Sequence, residues 1–222
     1  MFSTVLFDLD GTLLDTLGDI AAAGNHTLSA LGLPTHPRDA YRHMVGNGVK
    51  MLVRRMLPEN QRGEAVFSLA FSLYEKTYAG QMLQHTQPYP GIPELLRRLR
   101  ERGLTLGVLS NKPDNHVPGI VQHYFPGIFS IARGLRDGEA PKPDPANLLA
   151  IMHAFGAGQK SCLYVGDSDV DVLTAKNAGL PMCGVCWGFR GRDELLGAGA
   201  DYLAHNADEL GNIIMAASGL GL

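Results

Sequence analysis

The sequence predicts an α/β fold: a doubly wound parallel sheet with an inserted helical segment. Three observations point to it. Short apolar runs stop abruptly at polar residues, at Asp8, at Ser110-Asn111 and at Gly166-Asp167. Helical patterns lie between those runs, and from about residue 17 to residue 85 the alternation is broken by a stretch with no convincing strand.

Thr4–Phe7 is β-rich, apolar and ends at Asp8, which reads as a buried strand. In the stretch that follows, Phe67, Phe71, Tyr74 and Tyr78 recur at helical spacing, the signature of a helix packing an aromatic face in a bundle. The chain rejoins the sheet near Tyr89-Pro90-Gly91. Residues 1–16 and 86–222 therefore form the expected α/β core domain, and residues 17–85 the expected helical cap. Two crossings between such units make a natural hinge. Ile92, Leu95, Leu96 and Leu99 mark one helix face, with Gly103 as its stop. Leu104–Leu109 is the second expected strand, Cys162–Val165 the third, Met182–Val185 the fourth and Tyr202–Leu203 a short fifth. Continuous apolar runs suit parallel strands covered on both faces. Helices are expected over Pro145–Phe155 and Val170–Ala178, the latter ended by Gly179.

With 222 residues and 45% hydrophobic content, the chain can bury a substantial core. A net charge of −3 gives no basic excess for nucleic acid, and no apolar stretch reaches the ~20 residues that cross a membrane. The start, MFSTVLFDLD, lacks a basic region and a cleavable apolar segment, so a cytoplasmic location is expected. Three cysteines form no disulfide framework and suit a reducing compartment. The C-x-x-C pair Cys183 and Cys186 lies on a strand and its exit and reads as coincidence. The eight histidines show no metal-ligand spacing and read as surface or turn residues.

The polar residues lie where α/β sheets bind ligands, at the carboxyl edge. Asp8 and Asp10 are two apart in an extended segment, so both project into the crevice. Two carboxylates that close repel unless a cation or a proton lies between them, and hard oxygen ligands suit Mg²⁺. Asp167, at the end of the third strand, can complete the ion site. Asp171 lies one helical turn further and is expected to orient a metal-bound water or a nearby lysine. Asp169 reads as an acid favoured by the helix dipole. Lys142, in Pro-Lys-Pro-Asp-Pro, is fixed by prolines just before a helix, an unusual setting for a solvated charge. Ser110 and Asn111 supply a hydroxyl and an amide, both able to hold a phosphate oxygen.

DLDGTLLDT at 8–16, LSN at 109–111, KPDP at 142–145 and GDSDVD at 166–171 together resemble the four ordered motifs of the haloacid dehalogenase-like hydrolase superfamily. The resemblance implies a strand order of 5-4-1-2-3 and a helical cap where the insert lies. It implies that Asp8 attacks phosphorus to form an aspartyl-phosphate, and that Asp10 protonates the leaving alkoxide and then activates water. It assigns Mg²⁺ to Asp8, Asp167 and the Asp10 backbone carbonyl, and the phosphoryl oxygens to Ser110 and Lys142. A carboxylate facing a phosphate dianion at ~3.5 Å is repelled by roughly 9 kcal/mol at an effective dielectric near 20, which explains the need for cations.

Dehalogenases of the superfamily lack a carboxylate at the Asp10 position, phosphonatases place alanine there, and β-phosphoglucomutases carry a histidine where this chain has Ile20. The chain is most similar to the phosphoglycolate phosphatases, through Asp19-Ile20-Ala21, Val45-Gly46-Asn47-Gly48 and SNKP at 110–113. Thr16 stands where many relatives have serine, and Asp169-Val170 where they often have Arg-Asn. The implied reaction is hydrolysis of a small phosphate ester, 2-phosphoglycolate first, by a monomer or homodimer. Pyrophosphate, a sugar phosphate, or a non-catalytic phosphate-binding or regulatory role are the alternatives. Gly46, Asn47 and Gly48 either bring backbone N–H groups near a substrate carboxylate or form a simple turn. Arg54 and Arg55 read as a solvated helix face. Gly188-Phe189-Arg190-Gly191 either lines the crevice mouth or is a plain loop.

Overall fold

A computed structural model describes residues 1–219. Strand β1 (Thr4–Phe7) leads into a short ribbon strand β2 (Leu14–Asp15). Helices α1 (Leu17–Ala30), α2 (Val49–Met56) and α3 (Glu64–Gln81) follow, with 3₁₀ turns between them. Ribbon strand β3 (Gln87–Pro88) returns the chain. Then come α4 (Ile92–Glu101), β4 (Thr105–Pro113), α5 (Val117–Tyr124), β5 (Ile131–Leu135), α6 (Ala146–Ala154), β6 (Cys162–Gly166), α7 (Asp169–Ala178), β7 (Met182–Val185), α8 (Arg192–Ala198), β8 (Tyr202–Ala204) and α9 (Ala207–Ala217).

The main sheet has the order β5-β4-β1-β6-β7-β8, with every pairing parallel. Counting its first five strands in chain order gives the expected 5-4-1-2-3, and β8 extends it beyond the fifth. Sequence reading missed β5 because Ile-Ala-Arg-Gly-Leu is an edge strand, mostly half-buried, with a charge at its centre. It also stopped β4 at Leu109, whereas the strand runs through Ser-Asn-Lys to Pro113, with a register irregularity against β5.

Side-chain alternation places the core on both faces. Val5 and Phe7 of β1 join α4, α5 and α9 on one side. Leu6 joins α6 and α7 on the other, with Leu109, Tyr164 and Met182. The helical segment has its own apolar cluster, in which Leu17, Ile20, Leu28, Tyr41, Leu52, Met56, Tyr74 and Tyr78 are buried, with Phe189 reaching in from the sheet side.

The two chain crossings are paired with each other. Leu14 faces Pro88 and Asp15 faces Gln87 in an antiparallel ribbon. Next to it the fully buried Asp19 carboxylate accepts from the backbone N–H groups of His85 and Thr86, both at 2.9 Å, and from the Thr86 hydroxyl at 2.7 Å. Charge-assisted bonds of this kind are stronger than neutral ones. They tie the first turn of α1 to the segment that leaves the helices.

Candidate active site

β1 stops at Phe7 between β4 and β6, and Asp8 follows it at the carboxyl edge of the sheet. This puts Ser110 on one side and Asp167 on the other. A pocket opens there, lined by Asp8, Asp10, Ser110, Asn111, Lys142 and Asp167 from the sheet side. Gly46, Gly48, Tyr74 and Tyr78 line it from the helical side.

Lys142 reaches Asp8 from 134 residues away: its Nζ donates to Asp8 Oδ1 at 2.6 Å. It also donates to Asp171 Oδ1 at 2.7 Å and to the Tyr164 hydroxyl at 3.1 Å, so its three donors are all engaged. The ammonium is 5% exposed. Burial alone would lower its pKa, but the charges of Asp171 and Asp8 outweigh burial and raise it. Asp8 is pushed up from 3.8 to about 7 by burial, with Lys142 pulling down and Asp171 and Asp10 adding to the rise.

Asp171 has two tasks. Its Oδ2 accepts from the Ser168 N–H while its own N–H donates to Ser168 Oγ, a capping box at the start of α7; Oδ2 also accepts from the Ser168 hydroxyl, and Oδ1 accepts from Lys142 and Tyr164. Asp169 occupies the first turn of α7, where the helix dipole favours an acid.

Asp167 is buried at 2% exposure. Phe189 N–H donates to its Oδ2 at 2.6 Å and the Thr12 hydroxyl to its Oδ1 at 3.3 Å. Burial, then the charges of Asp171 and Asp8, hold it well above the usual carboxylate range. Gly11 makes the approach possible. Its φ is +88°, and a Cβ there would lie 2.3 Å from Asp167 Oδ2.

Oxygens of Asp8, Asp167 and Asp171 all lie within 4.8 Å of one another, a group that could hold a metal ion. Each Asp171 oxygen accepts two hydrogen bonds, whereas each Asp167 oxygen and Asp8 Oδ1 accept one, so Asp8 and Asp167 keep lone pairs for a cation. Two buried acids whose pKa values are raised are a set of hard oxygen donors that a small divalent cation fits.

Asp10 takes a different partner. Its two oxygens each accept from Lys112 Nζ at 2.9 Å, and the ammonium also lies 4.8 Å from the Tyr78 ring centre. Asp10's negative charge raises the Lys112 pKa despite burial.

The remaining expectations are met unevenly. Ser110 is buried in the pocket wall, and its hydroxyl accepts from Lys112 N–H at 3.2 Å. Asn111 does not offer its amide to the pocket. Its NH₂ donates to the carbonyls of Gly46 and Lys142, and its Oδ1 accepts from Lys142 N–H, so it joins the KPDP segment to the helical side. Gly46 and Gly48 have φ of +117° and +84° and line the pocket. Asn47 is held from behind by Arg55, which donates to its Oδ1 at 2.7 Å and to the Met44 carbonyl at 3.0 Å. Arg55 is thus a loop brace, not a solvated charge, while Arg54 covers the Phe67 ring at 4.6 Å. The 188–191 segment does line the mouth. Arg190 donates to the carbonyls of Arg42 and Val45 across the gap and pairs with Glu194 at 2.9 Å. His116, expected at the surface, is buried between Tyr78 and Glu75.

Three residues of the site escaped sequence reading. Tyr164 passed for strand filler, although a fully buried tyrosine hydroxyl signals a polar partner. Lys112 was hidden by ending β4 too early. Tyr78 belonged to a stripe that reads as core, and its lower end enters the pocket.

The chain matches a haloacid dehalogenase-like hydrolase family model over residues 5–185. It is 38% identical over 192 residues to a phosphoglycolate phosphatase of Pseudomonas putida, covering 83% of this chain and 70% of that one. It is 32% identical to a phosphoglycolate phosphatase of Vibrio parahaemolyticus, covering 95% of each. Its fold matches the crystal structure of a Lactobacillus delbrueckii subsp. bulgaricus protein with a TM-score of 0.91 at 29% identity, covering 96% of this chain and 98% of that one.

Proposed function

Because this chain belongs to the haloacid dehalogenase-like hydrolases and is a phosphoric monoester hydrolase among them, we propose that it hydrolyses 2-phosphoglycolate through an aspartyl-phosphate. The observation that carries this reading is the 2.6 Å contact between Asp8 and Lys142 at the open end of β1.

An Asp8 carboxylate oxygen attacks phosphorus, and the P–O ester bond breaks. Asp10 gives a proton to the departing alkoxide. Water then attacks the phosphorus of the aspartyl-phosphate, Asp10 takes its proton, and inorganic phosphate leaves with Asp8 restored. Lys142, oriented by Asp171 and Tyr164, neutralises the phosphoryl oxygens together with Ser110. Asp8, Asp167 and the Asp10 carbonyl would hold Mg²⁺, which supplies positive charge that keeps Asp8 ionised and offsets the phosphate. The raised Asp8 and Asp167 pKa values support that need.

In this reading residues 17–85 act as the cap. Gly46, Asn47 and Gly48 approach the substrate with backbone N–H groups, and closure excludes water from the aspartyl-phosphate. The bonds from Asn111 to Gly46 and from Arg42 to the Gly188 carbonyl support a seated cap.

A panel of phosphate esters ranked by kcat/KM with Mg²⁺ tests the substrate. The expected order places 2-phosphoglycolate above sugar phosphates and pyrophosphate. A low rank for it overturns the choice of substrate, and no phosphate release from any ester overturns hydrolysis itself.

A further inference from the structure

Within that reading, we infer that Lys112 is the specificity-determining residue: with the Tyr78 hydroxyl it binds the carboxylate of the leaving group. The reason starts with the strand. β4 continues past Ser110 to Pro113, so Ser110 and Lys112, two apart, project to the same side. Ser110 lies beside Asp8's strand, and Lys112 lies one step further toward the helices.

The other cations of the pocket are engaged elsewhere. Lys142 spends three donors on Asp8, Asp171 and Tyr164. Arg190 spends its guanidinium on two carbonyls and Glu194. Lys112 gives Asp10 two bonds and rests its ammonium 4.8 Å from the Tyr78 ring centre, so one of its three donors meets a ring and not a carboxylate. Beside it stands Tyr78, 3% exposed, whose hydroxyl has no hydrogen-bond partner among the described residues although it lines the pocket. A buried hydroxyl without a partner is costly, and a ligand oxygen would satisfy it.

Two donors thus lie in one wall of the pocket, whose helical side is lined by Ile20, Val49, Leu52 and Tyr74 together with Glu75. A carboxylate with two oxygens matches that pair. Shared between Asp10 and the substrate anion, Lys112 also sets the ester oxygen beside the Asp10 carboxyl.

The test compares 2-phosphoglycolate with ethyl phosphate, an ester of similar size whose leaving group is uncharged, using Mg²⁺-loaded enzyme. Wild type should favour 2-phosphoglycolate in kcat/KM. Lys112→Met should lower the ratio of the two substrates by about 100-fold, Lys112→Arg should restore a substantial part of it, and Tyr78→Phe should lower it by about 5-fold. Glycolate should compete with substrate in wild type and lose that ability in Lys112→Met. A folded Lys112→Met that loses both substrates equally shows that Lys112 only positions Asp10, and overturns the assignment. A wild-type preference that survives in both Lys112→Met and Tyr78→Phe overturns it as well, while leaving the phosphoglycolate reading intact. Wild type that treats the two esters alike defeats both. Should Lys112→Met fail to fold, Tyr78→Phe, which leaves the Lys112–Asp10 pair in place, decides alone.

Discussion

Lys142 and Lys112 are both buried pocket ammoniums, yet their surroundings differ. Lys142 is enclosed by Asp8 just after β1, Tyr164 within β6 and Asp171 in the first turn of α7. Lys112 meets one carboxylate and the face of a tyrosine from the helical insert. Three partners fix Lys142 beside Asp8, where its charge suits the phosphoryl group, the part of the substrate that never changes. Lys112, set between Asp10 and the helical insert, suits the part that distinguishes one ester from another. The contrast separates hydrolysis from selection, and it can be broken at specific points.

The largest effect is expected on the hydrolytic side. Asp8→Asn should lower phosphate release by about 10⁴-fold for every ester, because the nucleophile is gone. Retention of activity on any one substrate would dissolve the division. Lys142→Met should cost about 10²- to 10³-fold in kcat. It should also remove about 3–5 kcal/mol of stability, since Asp8 and Asp171 are left buried without their cation. Urea unfolding of the variant measures this, and an unchanged midpoint would mean that the cluster does not depend on Lys142.

Asn111→Ala should act on the border between the two sides, raising KM about 10-fold with a smaller change in kcat, as the Gly46 loop loses its anchor. An equal fall in kcat would place Asn111 with the hydrolytic group instead.

Thermal unfolding gives a subtler test. Asp8 titrates near 3.8 when unfolded and about 7 when folded. In chelated protein its contribution to stability is complete below about 3.8 and is lost as pH rises through about 7. A divalent cation that binds the ionised form offsets this loss, so the Tm gain from added Mg²⁺ should grow from pH 5 to pH 8 by several degrees. A gain that shrinks with pH would argue against carboxylate ligation.

The smallest effect is expected from the cysteines. Burial pushes the Cys183 thiol up to about 12 and raises Cys186 as well, which keeps both protonated and inert. The double change to alanine should alter kcat/KM by less than about twofold.

The same contrast explains what the sequence made legible. Asp8, Ser110 and Asp167 announce themselves because each ends an apolar run, and parallel pairing with β1 makes those ends neighbours. The apolar stripe of α4 and the Gly179 stop of α7 were readable for the same reason: local periodicity reflects burial. Lys112 and Tyr78 lie 34 positions apart, and neither carries a local signal. Their meeting depends on how the helical segment seats over β4, which no short pattern encodes. Arg55 likewise looks like one of many helix arginines until the Met44–Asn47 loop folds back onto it. The amide of Asn111 looked suited to phosphate because side-chain chemistry is visible in sequence and its commitment to Gly46 and Lys142 is not.

The antiparallel pairing of Leu14 with Pro88 has a consequence for chain length. An excursion that departs and returns at one spot adds little constraint to its host, whatever its length or content. With its two ends held together, residues 17–85 can change in length at little closure cost to the sheet, each doubling adding only about 0.6 kcal/mol.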